Sequence, residues 1–168
     1  MKKVILGMVL LITLTIFSTC KTSNKNKIDF EAQYLRTRKH EVTIPITTVI
    51  NSRDKLDQYY EDACPNDYYP DENIDYYAKI FWEAIEKYTD DFFIDYFLVI
   101  VLLNEVSGSI RHEVKTIDEH GEIIINRLLP GKGKQMTTDL AEWHIVIKLN
   151  RSIYQEKFSA KIIDKVIS

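Results

Sequence analysis

Residues Tyr96 to Leu103 read YFLVIVLL, eight positions without a charge or a turn former. Successive side chains of a strand point to opposite faces of its sheet. A strand that is apolar at every position therefore needs cover on both faces, and this run predicts a buried central strand. Whatever the chain folds into must supply a layer on each side of that strand.

The flanking segments predict those layers. Ser107-Gly108-Ser109 makes a turn, and Ile110 to Ile117 then alternates, with Ile110, His112 and Val114 facing one way and Arg111, Glu113 and Lys115 the other. Glu119-His120-Gly121 is the next turn, followed by a strand over Glu122 to Leu129. Pro130 to Thr138 (PGKGKQMTT) reads as an exposed loop. Leu140 to Leu149 places Trp143, Ile145, Ile147 and Leu149 on one face and Glu142, His144 and Lys148 on the other. A last, less regular strand is expected over Lys157 to Ile167.

Earlier in the chain, Phe30 to Arg38 suits a first strand or an extended arm, and Val42 to Ile50 (VTIPITTVI) is β-branched and reads as a strand. Pro45 has no amide hydrogen to give a ladder, which puts that strand at an edge or at a bulge. Asn51 and Ser52 supply cap side chains for a helix from Arg53 to about Ala63. A second helix is expected from Ile74 to about Tyr88, where Ile74, Tyr77, Ala78, Phe81, Trp82, Ile85 and Tyr88 form one stripe. Thr89-Asp90-Asp91 opens a short helical segment through Phe92 and Phe93. The expected fold class is α+β: two helices followed by a four- or five-stranded, mainly antiparallel sheet or open barrel.

The segments Ser107–Val114 (SGSIRHEV) and Thr138–Ile145 (TDLAEWHI) resemble two that recur in small secreted or lipoprotein-like bacterial proteins. The layout also resembles, more loosely, the C-terminal β domain of the protease-complex subunit PrcB family. There a hydrophobic strand leads through a Gly-containing turn into an alternating strand, and the domain closes with a strand after a Thr-containing loop. The matching parts here are Tyr96–Leu103, Ser107–Ser109, Ile110–Ile117 and Leu140–Leu149. The family pattern has paired glycines and an aromatic at the turn, where this chain has Ser107-Gly108-Ser109. The resemblance implies a non-enzymatic accessory or binding module, one that stabilises an extracytoplasmic protease.

The N-terminal segment gives an expected address. Lys2 and Lys3 precede an apolar stretch from Val4 to Phe17, and the small residues Ser18 and Thr19 lead into Cys20. This order is that of a secretory signal. A helix of that stretch is roughly 21 Å long at 1.5 Å per residue, short of a hydrocarbon core of about 30 Å. The stretch Phe17-Ser18-Thr19-Cys20 resembles the lipobox of bacterial lipoproteins, with Phe17 in place of Leu and Thr19 in place of Gly or Ala. The expected organisation is a signal over residues 1–19, a lipidated Cys20 with a polar tether over 20–28, and one α+β domain over 29–168. Two or three acyl chains hold a protein firmly where one chain does not. The three lysines of Lys21 to Lys27 (KTSNKNK) also favour anionic headgroups. The membrane, inner or outer, is then reached through lipid at the extracytoplasmic face.

Charge and cysteine content narrow the partners. The chain carries 22 basic and 25 acidic residues. Removing Lys2 and Lys3 with the signal leaves 20 against 25, a net charge of −5 that disfavours nucleic acid as a partner. With 45% hydrophobic residues, ten tyrosines and seven phenylalanines, the remainder is suited to a folded core. If Cys20 is acylated, Cys64 has no intramolecular partner and no internal disulfide is expected.

Few motifs in the chain mark a site. Asp71-Glu72-Asn73-Ile74-Asp75 spaces oxygens like the start of an EF-hand, but the glycine and terminal glutamate positions hold Tyr76 and Trp82. Acids complementing a helix start fit it better. Gly131-Lys132-Gly133-Lys134 lacks the spacing and ending of a phosphate loop. His40, His112, His120 and His144 do not fall at zinc-ligand spacing, so neither a metal nor a cofactor is expected. His112 reads as a core or boundary residue. The candidate interaction surface comprises Tyr68 and Tyr69 in the proline-flanked loop, with Arg111, Glu113, Glu142 and His144 on one polar face if their strands are neighbours. Glu142 and His144 also supply the parts of a general acid–base pair, although solvated cross-strand ion pairs use the same residues. The expected activity is therefore binding of an extracytoplasmic protein, with a small hydrolase or an envelope-polymer or small-ligand binder as alternatives.

Overall fold

The computed structural model describes residues 28–37, 45–63, 76–131 and 133–167. Cys20, the signal and tether before residue 28, His40, Cys64, and Tyr68 and Tyr69 lie outside the described residues. Among the described residues the chain runs β1 (Glu31–Thr37), β2 (Ile46–Ile50), α1 (Arg53–Ala63), α2 (Tyr76–Ile85), α3 (Phe92–Asp95), β3 (Tyr96–Glu105), β4 (Arg111–Ile117), β5 (Glu122–Pro130), β6 (Ala141–Asn150) and β7 (Ser159–Ile167). The fold is α+β and mainly antiparallel. Its strands are shared between a four-stranded sheet, in the order β1-β6-β3-β2, and a three-stranded sheet, in the order β4-β5-β7.

The apolar run accounts for this layering. β3 is central in the first sheet, antiparallel to β6 from Tyr96↔Asn150 to Glu105↔Ala141. Its Phe97, Val99, Val101 and Leu103 pack with Trp143, Ile145, Ile147 and Leu149 of β6 against Val114, Ile117, Ile123 and Ile125 of the second sheet. The alternate residues Leu98 and Ile100, with Val146, pack against Leu56, Phe81, Ile85 and Phe93 of the helices. Each fully buried aliphatic or aromatic side chain contributes about 1.5–3 kcal/mol. The four-stranded sheet therefore lies between a helical layer and the second sheet.

Local chemistry sets the element ends. Ser52 caps α1, its Oγ accepting from the Lys55 amide at 3.3 Å. α2 stops at Ile85, short of the Tyr88 expected from the stripe, because the Tyr88 amide turns back to the Ile85 carbonyl at 3.0 Å. Tyr88 is buried nonetheless. Pro45 directly precedes β2, an edge strand, as a residue without an amide hydrogen requires. Gly121 has φ +79°, the left-handed conformation its turn needs. β7 pairs with β5 in parallel, from Glu122↔Ser159 to Pro130↔Ile167.

The lateral openings of the sandwich are closed by single contacts. The Ile28 amide donates to the Ile117 carbonyl at 3.3 Å. The Tyr34 hydroxyl of β1 accepts from the Val114 amide of β4 at 2.9 Å. On the opposite side the Thr47 hydroxyl of β2 donates to the Phe158 carbonyl at 2.7 Å.

Candidate functional site

The residues marked in the sequence do not form one polar face. β4 and β6 belong to different sheets, so Arg111 and Glu113 are not cross-strand neighbours of Glu142 and His144. Arg111 and Glu113 are exposed. The Arg111 guanidinium lies 5.3 Å from the centre of the Trp143 ring and donates to the Gly108 carbonyl. Glu113 accepts from Asn126 Nδ2 at 3.1 Å and from Lys165 Nζ at 3.4 Å. The Asn126 hydrogen bond and then the Lys165 charge hold its carboxyl below the usual glutamate range.

Glu142 and His144 are interior residues, 4% and 0% exposed. This overturns the expectation of a solvated face: β6 is central, and its even-numbered side chains point under the helices. Register sets their neighbours. Thr37 of β1 and Asn104 of β3 flank Glu142, while Leu35 and Leu102 flank His144. The Thr37 hydroxyl donates to Glu142 Oε1 at 2.8 Å and lies 2.9 Å from His144 Nε2. Since the Thr37 proton goes to the carboxylate, its oxygen is left to accept from Nε2–H. Nε2 is also 3.2 Å from Glu142 Oε1.

On the opposite edge of the imidazole, Nδ1 is 2.9 Å from the Tyr59 hydroxyl of α1. The Phe81 ring of α2 meets the imidazole edge-on with centroids 4.9 Å apart. Helix spacing brings this about: Leu56, Tyr59 and Tyr60 share the inward face of α1. The result is a hydrogen-bonded chain from a helix through β6 to β1, enclosed by aromatic rings. Buried polar groups cost about 1–3 kcal/mol each when unpaired, so the four side chains stabilise one another and fix the register of α1 on the sheet.

A second histidine–carboxylate pair lies on the opposite face of the sheet. His112 Nε2 is 2.8 Å from Glu105 Oε1, with both side chains almost fully buried, and the His112 ring packs edge-on against Trp143. Arg127 Nη1 approaches Glu105 Oε2 at 3.7 Å and its Nε donates to Asp164 at 2.8 Å. The inward placement of His112 matches its expected core role. Arg127 and Thr37 carried no signal in the sequence, because each acts on a partner far along the chain, and the inward stripe of the first helix placed Tyr59 without naming His144 as its partner.

A third arrangement ties loops together. Asp139 pairs with the Arg36 guanidinium of β1, and the Gly108 amide donates to the Asp139 carbonyl at 2.9 Å. Hydrogen bonds from the Thr137 side chain and then Arg36 hold the Asp139 carboxyl well below the usual carboxylate range. A Cβ on Gly108 would stand 2.5 Å from both Arg36 Nη2 and Asp139 Oδ2, so a larger residue there displaces the ends of those two side chains.

Among the described residues no group of three His, Cys, Asp or Glu side chains is placed to hold a metal ion. No described helix is long and apolar enough to cross a membrane. Comparison with protein-family models, with curated proteins and with solved structures finds no match.

Proposed function

We propose that the chain is a lipoprotein, anchored through Cys20 at an extracytoplasmic membrane face, whose domain is a non-catalytic binding or accessory module for a protein partner. The resemblance to the PrcB family makes a surface protease the favoured partner. The observation that carries this reading is the enclosure of the Glu142–His144 pair. A general acid or base must come within about 3 Å of the atom whose proton it moves. His144 instead spends Nε2 on Thr37 and Glu142 and has Tyr59 at Nδ1, behind the Phe81 ring.

The outer surface has the opposite character. Val106 and Leu140 lie one step beyond the Glu105↔Ala141 pair and are 67% and 71% exposed, with Met136 exposed on the adjoining loop. Apolar side chains gathered at one end of a sheet suit burial against another protein. The N-terminal lysines, apolar stretch and Cys20 support the address.

Crosslinking of the full chain in its native membrane tests the reading. It is expected to recover one specific protein, to the same extent from a Glu142→Gln/His144→Gln variant that remains folded. Recovery of none, together with a hydrolase activity of the purified protein that this variant abolishes, overturns it.

A further inference from the structure

The strand edges of this fold are not treated alike. β4 ends one side of the second sheet, and its outward groups are met by Ile28 at Ile117 and by Tyr34 at Val114. β7 ends the other side, where β2 runs nearby and its Thr47 takes the Phe158 carbonyl just before the strand. The Ser159 amide donates to the Gly121 carbonyl at 3.0 Å, on the β5 side. Backbone direction alternates along a strand, so Ser159, Lys161, Ile163, Lys165 and Ile167 bond inward to β5. Ala160, Ile162, Asp164 and Val166 therefore turn their amide hydrogens and carbonyls outward. Among the described residues no strand pairs with that edge.

The side chains along this edge are patterned. Lys161, Ile163, Lys165 and Ile167 share the outer face of the sheet, and all four are exposed. Ile163 is 39% exposed, and Val166, on the other face, 67%. Edge strands avoid new pairing by being short, proline-bearing, covered or charged, with lysine above all, so Lys161 and Lys165 turn away any incoming strand that is not acidic. β7 has nine residues and no proline, and no described strand bonds to its outer edge.

We infer that β7 is a docking edge that accepts an extended segment of a partner protein, added as a fourth strand of the second sheet, in which every second residue lies on one face and those residues are acidic and apolar by turns. The inference rests on the binding-module reading and names the chemistry of its partner. Main-chain bonds to Ile162, Asp164 and Val166 supply affinity, as in other strand additions. Acidic side chains opposite Lys161 and Lys165, and apolar ones opposite Ile163 and Ile167, supply selectivity. The Lys165–Glu113 contact at 3.4 Å is an exposed pair that an incoming carboxylate replaces at little cost.

Residue-resolved amide exchange on the full chain in detergent micelles tests this, with a glutamate peptide that repeats Glu-Thr-Val-Thr, so that glutamate and valine follow one another along one face, and a lysine peptide that repeats Lys-Thr-Val-Thr. The glutamate peptide is expected to slow exchange at Ile162, Asp164 and Val166 and to leave Lys161, Ile163 and Lys165 unchanged, since those amides already bond to β5. Lys161→Glu with Lys165→Glu, both exposed and off the core, should weaken that peptide about tenfold and favour the lysine peptide. Equal affinity for both peptides, or protection without the alternation, overturns the inference. So does concentration-dependent protection of the same amides without peptide, which would make a second copy the occupant. Failure of the anchoring reading shows as unmodified Cys20 and leaves these exchange results untouched.

Discussion

The hydroxyl of Tyr59 lies 2.9 Å from Nδ1 of His144, joining the first helix to the central strand β6 across 85 residues of sequence. With Thr37 and Glu142 at Nε2, this contact makes the helical layer part of the sheet's polar bonding.

Tyr59→Phe keeps the ring and removes the hydroxyl facing a buried ring nitrogen. A loss of about 1–2 kcal/mol in unfolding free energy is expected. Urea unfolding with an unchanged denaturant slope measures it. Thr37→Val should cost about 1–2 kcal/mol because Glu142 loses one of its donors and His144 Nε2–H one of its acceptors, and the two substitutions should couple in a double-mutant cycle.

Asp139 governs an acid limb of stability. Its folded carboxyl is held below the ordinary aspartate value, so the unfolded chain binds the proton first as pH falls. The contribution is fully present above about pH 4, the ordinary aspartate value, and is lost as pH drops below it. Thermal melts of the wild type and Asp139→Asn should differ at neutral pH and converge in acid. A constant difference down to the lowest pH would contradict this.

Tyr88 sets a limit on the alkaline side. Burial first, and then the Glu31 charge, push its hydroxyl up to about 12. The native state therefore keeps that proton after the unfolded chain releases it near pH 10, and stability declines as pH rises from about 10 toward 12. In an ultraviolet titration of the folded protein, Tyr88→Phe should remove a transition that lies above the ordinary tyrosine range.

Gly108→Ala places a methyl group against the Arg36–Asp139 pair. The near atoms are the ends of two flexible, partly exposed side chains that can shift, so a cost of no more than about 1 kcal/mol is expected. It should shrink in an Asp139→Asn background, where the pair is already broken.

The parts legible in the sequence were those decided by periodicity and turn chemistry. The unbroken apolar run marked β3 as central, the alternation of Ile110, His112 and Val114 sent His112 inward, and Glu119-His120-Gly121 marked a turn that needs positive φ. Alternation states which side chains share a face, but not which strand lies alongside. The assignment of β4 and β6 to separate sheets was therefore hidden, and with it the separation of Arg111 and Glu113 from Glu142 and His144. Polarity at positions 142 and 144 suggested an open face, whereas Thr37 and Tyr59 satisfy both residues from distant parts of the chain. A signal was present all the same: from Trp143 to Leu149 only His144 and Lys148 interrupt an apolar run, close to the pattern that marks β3.

A domain tethered through Cys20 that binds rather than catalyses must reach the membrane already cleaved and acylated. Intact-mass measurement of the protein extracted from its native membrane tests the tether most directly. The predicted result is a chain beginning at Cys20, lighter by residues 1–19 and heavier by a diacylglyceryl group with or without a further acyl chain. A chain that retains residues 1–19, or one carrying an unmodified Cys20, would contradict it.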